Sequence, residues 1–164
     1  MRVGQVMTPR VQSCRPADSL DYAAQLMWRH DCGCVPVCAD DGASRPIGVI
    51  TDRDICMCAL FTGRPLPQLT VREALSGQPL YVCQPEDSLA QAEELMRRAR
   101  VRRLPVIESD GTLVGVISLA DLAREAARQQ DLTDKEITET EVNETLAQIC
   151  APPVPVPRVD LSAS

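Results

Sequence analysis

Aromatic side chains are rare in this sequence: its 164 residues include one Trp, one Phe and two Tyr. Proteins that bind single-stranded nucleic acids stack bases on exposed aromatic rings, so this scarcity argues against that function. The net charge of −6 likewise differs from the basic character of nucleic-acid-binding proteins. No apolar run approaches the ~20 residues of a membrane-spanning helix, and the chain does not open on a signal-peptide pattern. We therefore expect a cytoplasmic protein that binds neither nucleic acid nor membranes.

Histidine is represented by His30 alone, whereas cysteine occurs eight times. Two close cysteine pairs, Cys32 with Cys34 and Cys56 with Cys58, have the spacing C-x-C rather than the C-x-x-C of structural zinc sites. In a reducing cytosol we expect these thiols to pack as small hydrophobic groups, with no bound metal. A redox or metal sensor that uses His30, Cys32 and Cys34 is the alternative.

The chain contains an internal repeat. The segments that recur, in pairs, are Pro16–Leu20 and Pro85–Leu89, Val35–Val37 and Leu104–Val106, and Gly48–Asp54 and Gly115–Asp121. The offset is 69 residues up to Gly42 and Gly111 and 67 residues from Gly48 and Gly115 onward, so the first copy has the longer loop. A duplicated unit whose copies pack together is typical of such a repeat, since each copy alone is too small to bury a stable core.

Each copy is predicted to contain the same series of helices and strands. For the first copy these are a helical piece Val3–Met7, an extended segment through Val11, a helix capped by Asp18-Ser19 and ended by Gly33, a strand Val35–Cys38, a turn Asp40–Gly42, a strand Pro46–Thr51 and a helix Asp52–Thr62. For the second copy they are a helix Val71–Leu75, a strand Leu80–Cys83, a helix Asp87–Arg98, a strand Leu104–Glu108, a turn Asp110-Gly111, a strand Leu113–Ser118 and a helix Leu119–Arg128. The fold class is therefore α+β (α/β-like), with a β-α-β-β-α unit.

The repeats occupy residues 1–62 and 71–128 and are joined by a linker, 63–70, that is rich in Gly and Pro. The extension 129–150 is acidic, with a possible capping box at Thr133–Glu136 and an apolar stripe at Val142, Leu146 and Ile149. This stripe could dock on the repeats or on a partner, and docking on the repeats is favoured because a short isolated helix is marginal in water. The Pro-rich tail 151–164 is expected to be disordered.

These motifs resemble the CBS domain, named for cystathionine β-synthase, and their duplication resembles a CBS pair, or Bateman module. The resemblance rests on [V/L]-P-V before the hairpin, D-G in its turn and G-h-h-[T/S]-x-x-D after it, each found twice. It implies two repeats packed by pseudo-twofold symmetry. It further implies a stand-alone regulatory module, not an enzyme, that binds ATP, ADP, AMP or an S-adenosyl compound between its repeats. A homodimer and an effector protein in trans are expected partners.

A hydroxyl at a strand end is followed three residues later by a carboxylate in both copies, as Thr51 with Asp54 and Ser118 with Asp121. These pairs could simply cap the following helices. They could also bind a ribose diol or a phosphate at the same place, and the two readings are compatible. The resemblance implies the ligand-binding role for all four residues.

Five arginines lie within residues 97–103, just before the second-copy strand. Arg suits phosphate because it offers bidentate donors. The resemblance implies that Arg102 and Arg103 reach a phosphate across the cleft between copies; Arg53 is a weaker candidate, and the other three arginines are expected to be solvated. The first copy has Gly33 and Cys34 at the matching positions, so we predict one competent site.

That site combines Thr51 and Asp54 with Arg102 and Arg103, and the site at Ser118 and Asp121 should be weaker or should take a less charged adenosine compound. An enzyme is disfavoured, since no nucleophile–base pair, P-loop or dinucleotide-binding fingerprint stands out. An adaptor with vestigial ligand sites, which works through its acidic tail, is a further alternative.

Overall fold

The computed structural model describes residues 1–40, 44–75, 77, 79–129 and 135–152. The first repeat contains α1 (Val3–Val6), β1 (Thr8–Pro9), α2 (Leu20–Arg29), β2 (Cys34–Cys38), β3 (Pro46–Thr51) and α3 (Asp52–Thr62). A 3₁₀ turn (Leu66–Gln68) leads to α4 (Val71–Ala74), α5 (Leu89–Ala99), β4 (Arg103–Ile107), β5 (Leu113–Ser118), α6 (Leu119–Arg128) and α7 (Glu139–Cys150). The predicted mixed fold is confirmed, and β3, α3, β5 and α6 have the predicted bounds.

Each leading segment packs on the other repeat. The backbone N–H of Val3 donates to the carbonyl of Asp87 at 2.9 Å, and that of Val71 donates to Asp18 at 2.9 Å. Val3 is buried in the core of the second repeat, and Val71 in that of the first. Because of this exchange, neither repeat has a complete core without residues from the other.

The strands of the described residues form two antiparallel sheets. Strands β2 and β3 form one sheet, and the other has the order β1-β5-β4. The first-repeat strand β1 therefore extends the sheet of the second repeat, with Thr8 opposite Val116. Gly115 allows this approach, because a Cβ there would lie 2.7 Å from the carbonyl oxygen of Thr8.

The predicted strand Leu80–Cys83 was wrong. Only Cys83 pairs, in a single parallel bridge with Val106, and Cys14 makes the equivalent bridge with Val37. The N–H of Cys83 donates to the carbonyl of Pro105 at 3.1 Å. To extend this parallel pairing toward Leu80, the backbone N–H of residue 105 would have to donate to the carbonyl of Tyr81. Residue 105 is a proline, which has no N–H. The proline of the repeated motif thus reduces the first strand of the unit to one bridge.

Helix α2 ends at Arg29, before the predicted terminator Gly33. Asp31 has φ 48°, so it supplies the left-handed residue of the turn that glycine was expected to provide. Arg100 has φ 55° at the matching position after α5. Within the predicted turn at 40–42, Asp41 and Gly42 lie outside the described residues.

Helix α7 packs on α5 and α6. Val142 is buried and Thr145 is almost wholly buried, whereas Leu146, which we predicted on the apolar face, is 41% exposed. The hydroxyl of Thr145 donates to Glu93 of α5 at 2.5 Å. The N-cap of α7 is Thr138; Thr133 and Asp134 of the predicted capping box, and residues 153–164 of the tail, lie outside the described part of the chain. Among the described residues, no helix is both long and apolar enough to cross a membrane.

Candidate functional site

The two strand-to-helix junctions have the same capping geometry. The hydroxyl of Thr51 accepts from the N–H of Asp54 at 3.2 Å and donates to its Oδ2 at 2.7 Å. Ser118 and Asp121 repeat these bonds at 3.2 and 2.6 Å. The capping role of both pairs is therefore confirmed, and each carboxylate keeps one oxygen that the cap does not use.

The second oxygen distinguishes the two junctions. In the described part of the chain, no hydrogen-bond donor reaches Oδ1 of Asp54, which is half-buried. Oδ1 of Asp121 accepts from Arg124, and the Asp121 side chain is only 7% exposed. Asp54 therefore has an oxygen available for a ligand, whereas Asp121 has both oxygens engaged.

A cavity of about 580 Å³ lies between the two repeats. Five of the seven predicted site residues line it: Thr51, Arg53, Asp54, Arg102 and Arg103. The first three come from the end of β3 and the start of α3, and the arginines from the turn before β4 and its first residue. The volume is in the range of small-molecule pockets. The structure thus brings carboxylate, hydroxyl and guanidinium groups from both repeats to one cavity.

The remaining predicted residues, Ser118 and Asp121, line a different cavity of about 540 Å³. Arg103 borders both cavities. Sequence reasoning missed two arginines of the second cavity, Arg10 and Arg124. Arg124 lies one turn beyond Asp121 on α6, a spacing at which side chains on a helix interact.

Sequence reasoning also missed the apolar walls of the first cavity. These residues are Ile47, Val49, Leu75, Pro79, Leu80, Tyr81, Val101, Pro105 and Ile149. Tyr81, 37% exposed, is one of very few aromatic residues in the chain. Because aromatic residues are so rare in this chain, the position of Tyr81 two residues before Cys83 is a signal that could have identified it as a site residue.

Arg103 reaches the first repeat at Gly33 and Cys34. A Cβ at Gly33 would lie 3.7 Å from a terminal nitrogen of Arg103 and 3.2 Å from Oδ2 of Asp52. Burial raises the pKa of the Cys34 thiol, and the Arg103 guanidinium opposes part of that rise. Arg103 therefore crosses between the repeats and lies beside Gly33, where an added Cβ would crowd Asp52 rather than the arginine.

Arg98 and Arg100 are exposed, as expected, and the Arg97 side chain is 40% exposed. Two of these arginines also have partners, which the expectation did not include. Arg97 pairs with Glu94 on the same helix. Arg100 lines the first cavity and donates to the carbonyl of Ala151 at 2.9 Å, at the end of α7. The left-handed turn at Arg100 accounts for this position, which the arginine pattern alone did not indicate.

His30, Cys32 and Cys34, the residues of the metal-sensor alternative, all line the second cavity. Within the described ranges, no group of three or more His, Cys, Asp or Glu side chains is arranged to hold a metal ion. All eight cysteines lie in these ranges, and none forms a disulfide.

Comparison with known proteins defines the class. The CBS domain family model matches residues 3–59 and 71–128, the two halves of the internal repeat. This chain therefore belongs to the CBS-domain family and contains a pair of CBS domains.

Two curated relatives are similar over most of their length. CBS domain-containing protein YhcV of Bacillus subtilis is 34% identical over 125 residues, which cover 74% of this chain and 82% of YhcV. Hypoxic response protein 1 of Mycobacterium tuberculosis is 35% identical over 119 residues, 73% of this chain and 80% of that protein.

Solved structures of similar fold include Hypoxic Response Protein I with two coordinated zinc ions, at TM-score 0.67 and 33% identity over 76% of this chain and 98% of that one. Two others are AMP complexes. The CBS domain protein PAE2072 from Pyrobaculum aerophilum has TM-score 0.69 and 25% identity over 80% of this chain and 98% of that one. CBSX2 has TM-score 0.65 and 27% identity over 79% of this chain and 98% of that one.

Proposed function

We propose that this CBS pair is a regulatory module that binds an adenine nucleotide or an S-adenosyl compound between its repeats and signals occupancy to a partner protein. The observation that carries the proposal is the cavity of about 580 Å³ that Thr51 and Asp54 of one repeat share with Arg102 and Arg103 of the other. AMP in the related CBS proteins PAE2072 and CBSX2 supports the choice of an adenine nucleotide.

Each part of such a ligand has a chemically suited surface in this cavity. Oδ1 of Asp54 would accept hydrogen bonds from the ribose hydroxyls, which need an acceptor. Arg102 and Arg103 would bind the phosphate through charge-assisted hydrogen bonds. Arg53, exposed in the first turn of α3, would contribute from the first repeat. The apolar walls, with Tyr81 among them, would cover the adenine.

Occupancy would be signalled through the arrangement of the repeats. A ligand held by Asp54 on one repeat and by Arg103 on the other binds best at one particular separation of the two. It therefore shifts the equilibrium toward that arrangement in proportion to its differential affinity. A homodimer and an effector protein in trans would convert this shift into an output, and the protein itself needs no catalytic residue.

Isothermal titration calorimetry tests the proposal with AMP, ADP, ATP and S-adenosylmethionine as separate ligands. Wild-type protein should bind at least one of them. Asp54→Asn should lower the affinity for that ligand at least about tenfold, since one charged hydrogen bond is lost. Asn keeps an oxygen for the cap, so the variant should remain folded by circular dichroism. Asp121→Asn is the matched control and should leave the affinity within about twofold. Absence of heat with all four ligands at millimolar concentration would refute the proposal.

A further inference from the structure

The first cavity has one wall that comes from outside the two repeats. Ile149, in the last turn of α7, lines this cavity together with residues of both repeats. The part of the chain that the CBS domain model matches ends at residue 128, so α7 is an addition to the CBS pair. Ile149 also packs against the core of the second repeat. It therefore lies where that core meets the cavity.

Arg100 holds the end of α7 beside the same cavity. Its guanidinium donates to the carbonyl of Ala151 at 2.9 Å and to that of Gln148 at 3.3 Å. The last carbonyl groups of a helix have no partner within the helix and carry partial negative charge, so a guanidinium is well suited to them. Arg100 and the next residue, Val101, both line the cavity. The arginine thus joins α7 to the wall that the turn before β4 forms.

The start of α7 is held by groups that lie away from the cavity. Val142 is buried, and so is Ile137, just before the helix. The hydroxyl of Thr145 donates to Glu93 of α5 at 2.5 Å. None of these four residues, all in the described part of the chain, lines the first cavity. A substitution at the start of α7 can therefore detach the helix without changing a side chain of the cavity.

The second cavity has no corresponding wall. The residue of the first repeat that matches Arg100 is Asp31, which lines the second cavity and has the same left-handed backbone conformation. A carboxylate cannot donate to the carbonyl groups at the end of a helix. The structure describes α7 completely, and none of its residues lines that cavity. The extension therefore adds to one of the two cavities only.

From these observations we propose that α7 is part of the nucleotide site, where Ile149 contacts the bound ligand and Arg100 is a positioning residue that keeps the end of α7 in place. The inference rests on the proposed function, because it takes the first cavity as the ligand site. A ligand that contacts α7 binds more tightly while the helix is docked, and linkage then requires the ligand to stabilise docking by the same factor. Helix α7 is thus an element whose docking responds to occupancy.

Hydrogen–deuterium exchange of the full-length protein, followed by mass spectrometry, measures the docking of α7. AMP is the probe, replaced by ADP, ATP or S-adenosylmethionine if calorimetry shows that AMP does not bind. At saturation, exchange of the backbone amides of residues 146–150 should slow by at least about threefold. Helix α2, none of whose residues lines the first cavity, is the internal reference and should change less.

Substitutions in α7 test the same coupling from the other side. Val142→Asp should detach the helix, because the buried position offers a charge no partner. It should lower the affinity by the factor by which the ligand slows exchange in the wild-type protein. Glu144→Gln, on the exposed side of α7, is the matched control and should leave the affinity within about twofold.

The contact with Ile149 is tested by the size of its side chain. Ile149→Ala should lower the affinity by about three- to tenfold, whereas Ile149→Val, which keeps a branched side chain, should retain most of it. Urea denaturation checks that both variants remain folded. Equal losses in the two variants would mean that the position matters for stability and not for contact with the ligand.

Adenosine and AMP together test the role of Arg100. Arg100→Gln should lower both affinities by a similar factor, about three- to tenfold, because adenosine has no phosphate for the arginine to bind. Arg98→Gln is the control from the same arginine run, since Arg98 is exposed and does not line the cavity. A loss confined to AMP would show that Arg100 binds the phosphate itself, which would overturn its positioning role.

Two further results would overturn the inference. The first is a ligand that binds without slowing exchange in α7, and in that case the proposed function still stands. The second is wild-type affinity in both Ile149→Ala and Val142→Asp. If none of the four ligands binds the wild-type protein, the proposed function fails and this inference fails with it.

Discussion

Asp121 is the counterpart of Asp54, yet its second carboxylate oxygen is bonded to Arg124, whereas no described donor reaches that of Asp54, a residue that lines the cavity between the repeats. Both aspartates make the same capping bonds with the preceding hydroxyl. One difference between the two candidate sites therefore comes from Arg124, on the next turn of α6. It gives a structural reason for binding at one site of the pair.

The role of Arg124 leads to a prediction about stoichiometry. Wild-type protein should bind one adenine nucleotide per chain, and Arg124→Ala should raise this number toward two, because Oδ1 of Asp121 then becomes available. Calorimetric titration with adenosine and AMP measures the number. Arg128→Ala, which removes the arginine 3.8 Å from Glu125, is the matched control and should leave one site. Unchanged stoichiometry in Arg124→Ala would show that Arg124 does not block the second site.

Arg102 and Arg103 should make the site bind AMP, which carries a phosphate, more tightly than adenosine, which does not. In the double variant Arg102→Gln with Arg103→Gln, the affinity for AMP should fall by roughly 10- to 100-fold, because charge-assisted hydrogen bonds to the phosphate are lost. The affinity for adenosine should change by no more than about threefold. Arg98→Gln is the control from the same arginine run, since Arg98 does not line the cavity. An equal loss for adenosine and AMP would mean that these arginines act on the fold rather than on the phosphate.

The packing of β1 against β5 should be sensitive to Gly115. Gly115→Ala places a Cβ 2.7 Å from both the carbonyl oxygen of Thr8 and the sulfur of Met7. Backbone cannot yield easily, so the free energy of unfolding should fall by about 1–3 kcal/mol. Gly48→Ala is the comparison in the other repeat, where the nearest atom is the flexible end of Leu75 at 3.1 Å, and it should cost less. Urea denaturation measures both, and an equal loss would contradict the account of the exchanged strand.

Two buried thiols should resist modification and make stability fall at high pH. Burial raises the pKa of Cys14 to about 12, with Asp18 and Cys38 adding to the rise, and burial likewise raises the pKa of Cys83 to about 12. The unfolded chain loses these protons near the ordinary value of 9.0, so folding stability is fully present below that pH and declines as the pH rises toward 12.

Mass spectrometry after brief treatment with iodoacetamide at pH 8 checks the burial. The exposed Cys32, Cys56 and Cys150 should react, whereas Cys14 and Cys83 should react only in denaturant. If Cys14 were modified as fast as Cys32, the core of the first repeat would have to open readily. For the pH dependence, the urea midpoint should fall between pH 8 and pH 10, and a constant midpoint would contradict it.

Much of the fold could be predicted because each repeat carries the same local signals. Pro46–Thr51 and Asp52–Thr62 have their predicted bounds because Thr51 both ends the strand and caps the helix. The strand predicted at Leu80–Cys83 failed for a nonlocal reason: its would-be partner includes Pro105, which has no N–H to donate. The exchange of leading segments between the repeats is equally nonlocal, and the repeat pattern alone does not reveal it.

The candidate site was predictable in its polar groups but not in its boundaries. The sequence motif that contains Thr51 and Asp54 and the arginine run that contains Arg102 and Arg103 were both recognisable, and they line the same cavity in the packed repeats. The partners of those groups were not predictable in the same way. Arg100 reaches the end of α7, 51 residues along the chain from it, and this depends on a left-handed turn that few non-glycine residues adopt.

A crystal structure of the protein grown with 10 mM AMP tests the central claim most directly. The account predicts electron density for AMP between the repeats, with the ribose hydroxyls within hydrogen-bond distance of Oδ1 of Asp54 and the phosphate bound by Arg102 and Arg103. AMP bound only at Ser118 and Asp121, or a cavity beside Asp54 that holds no nucleotide under these conditions, would contradict it.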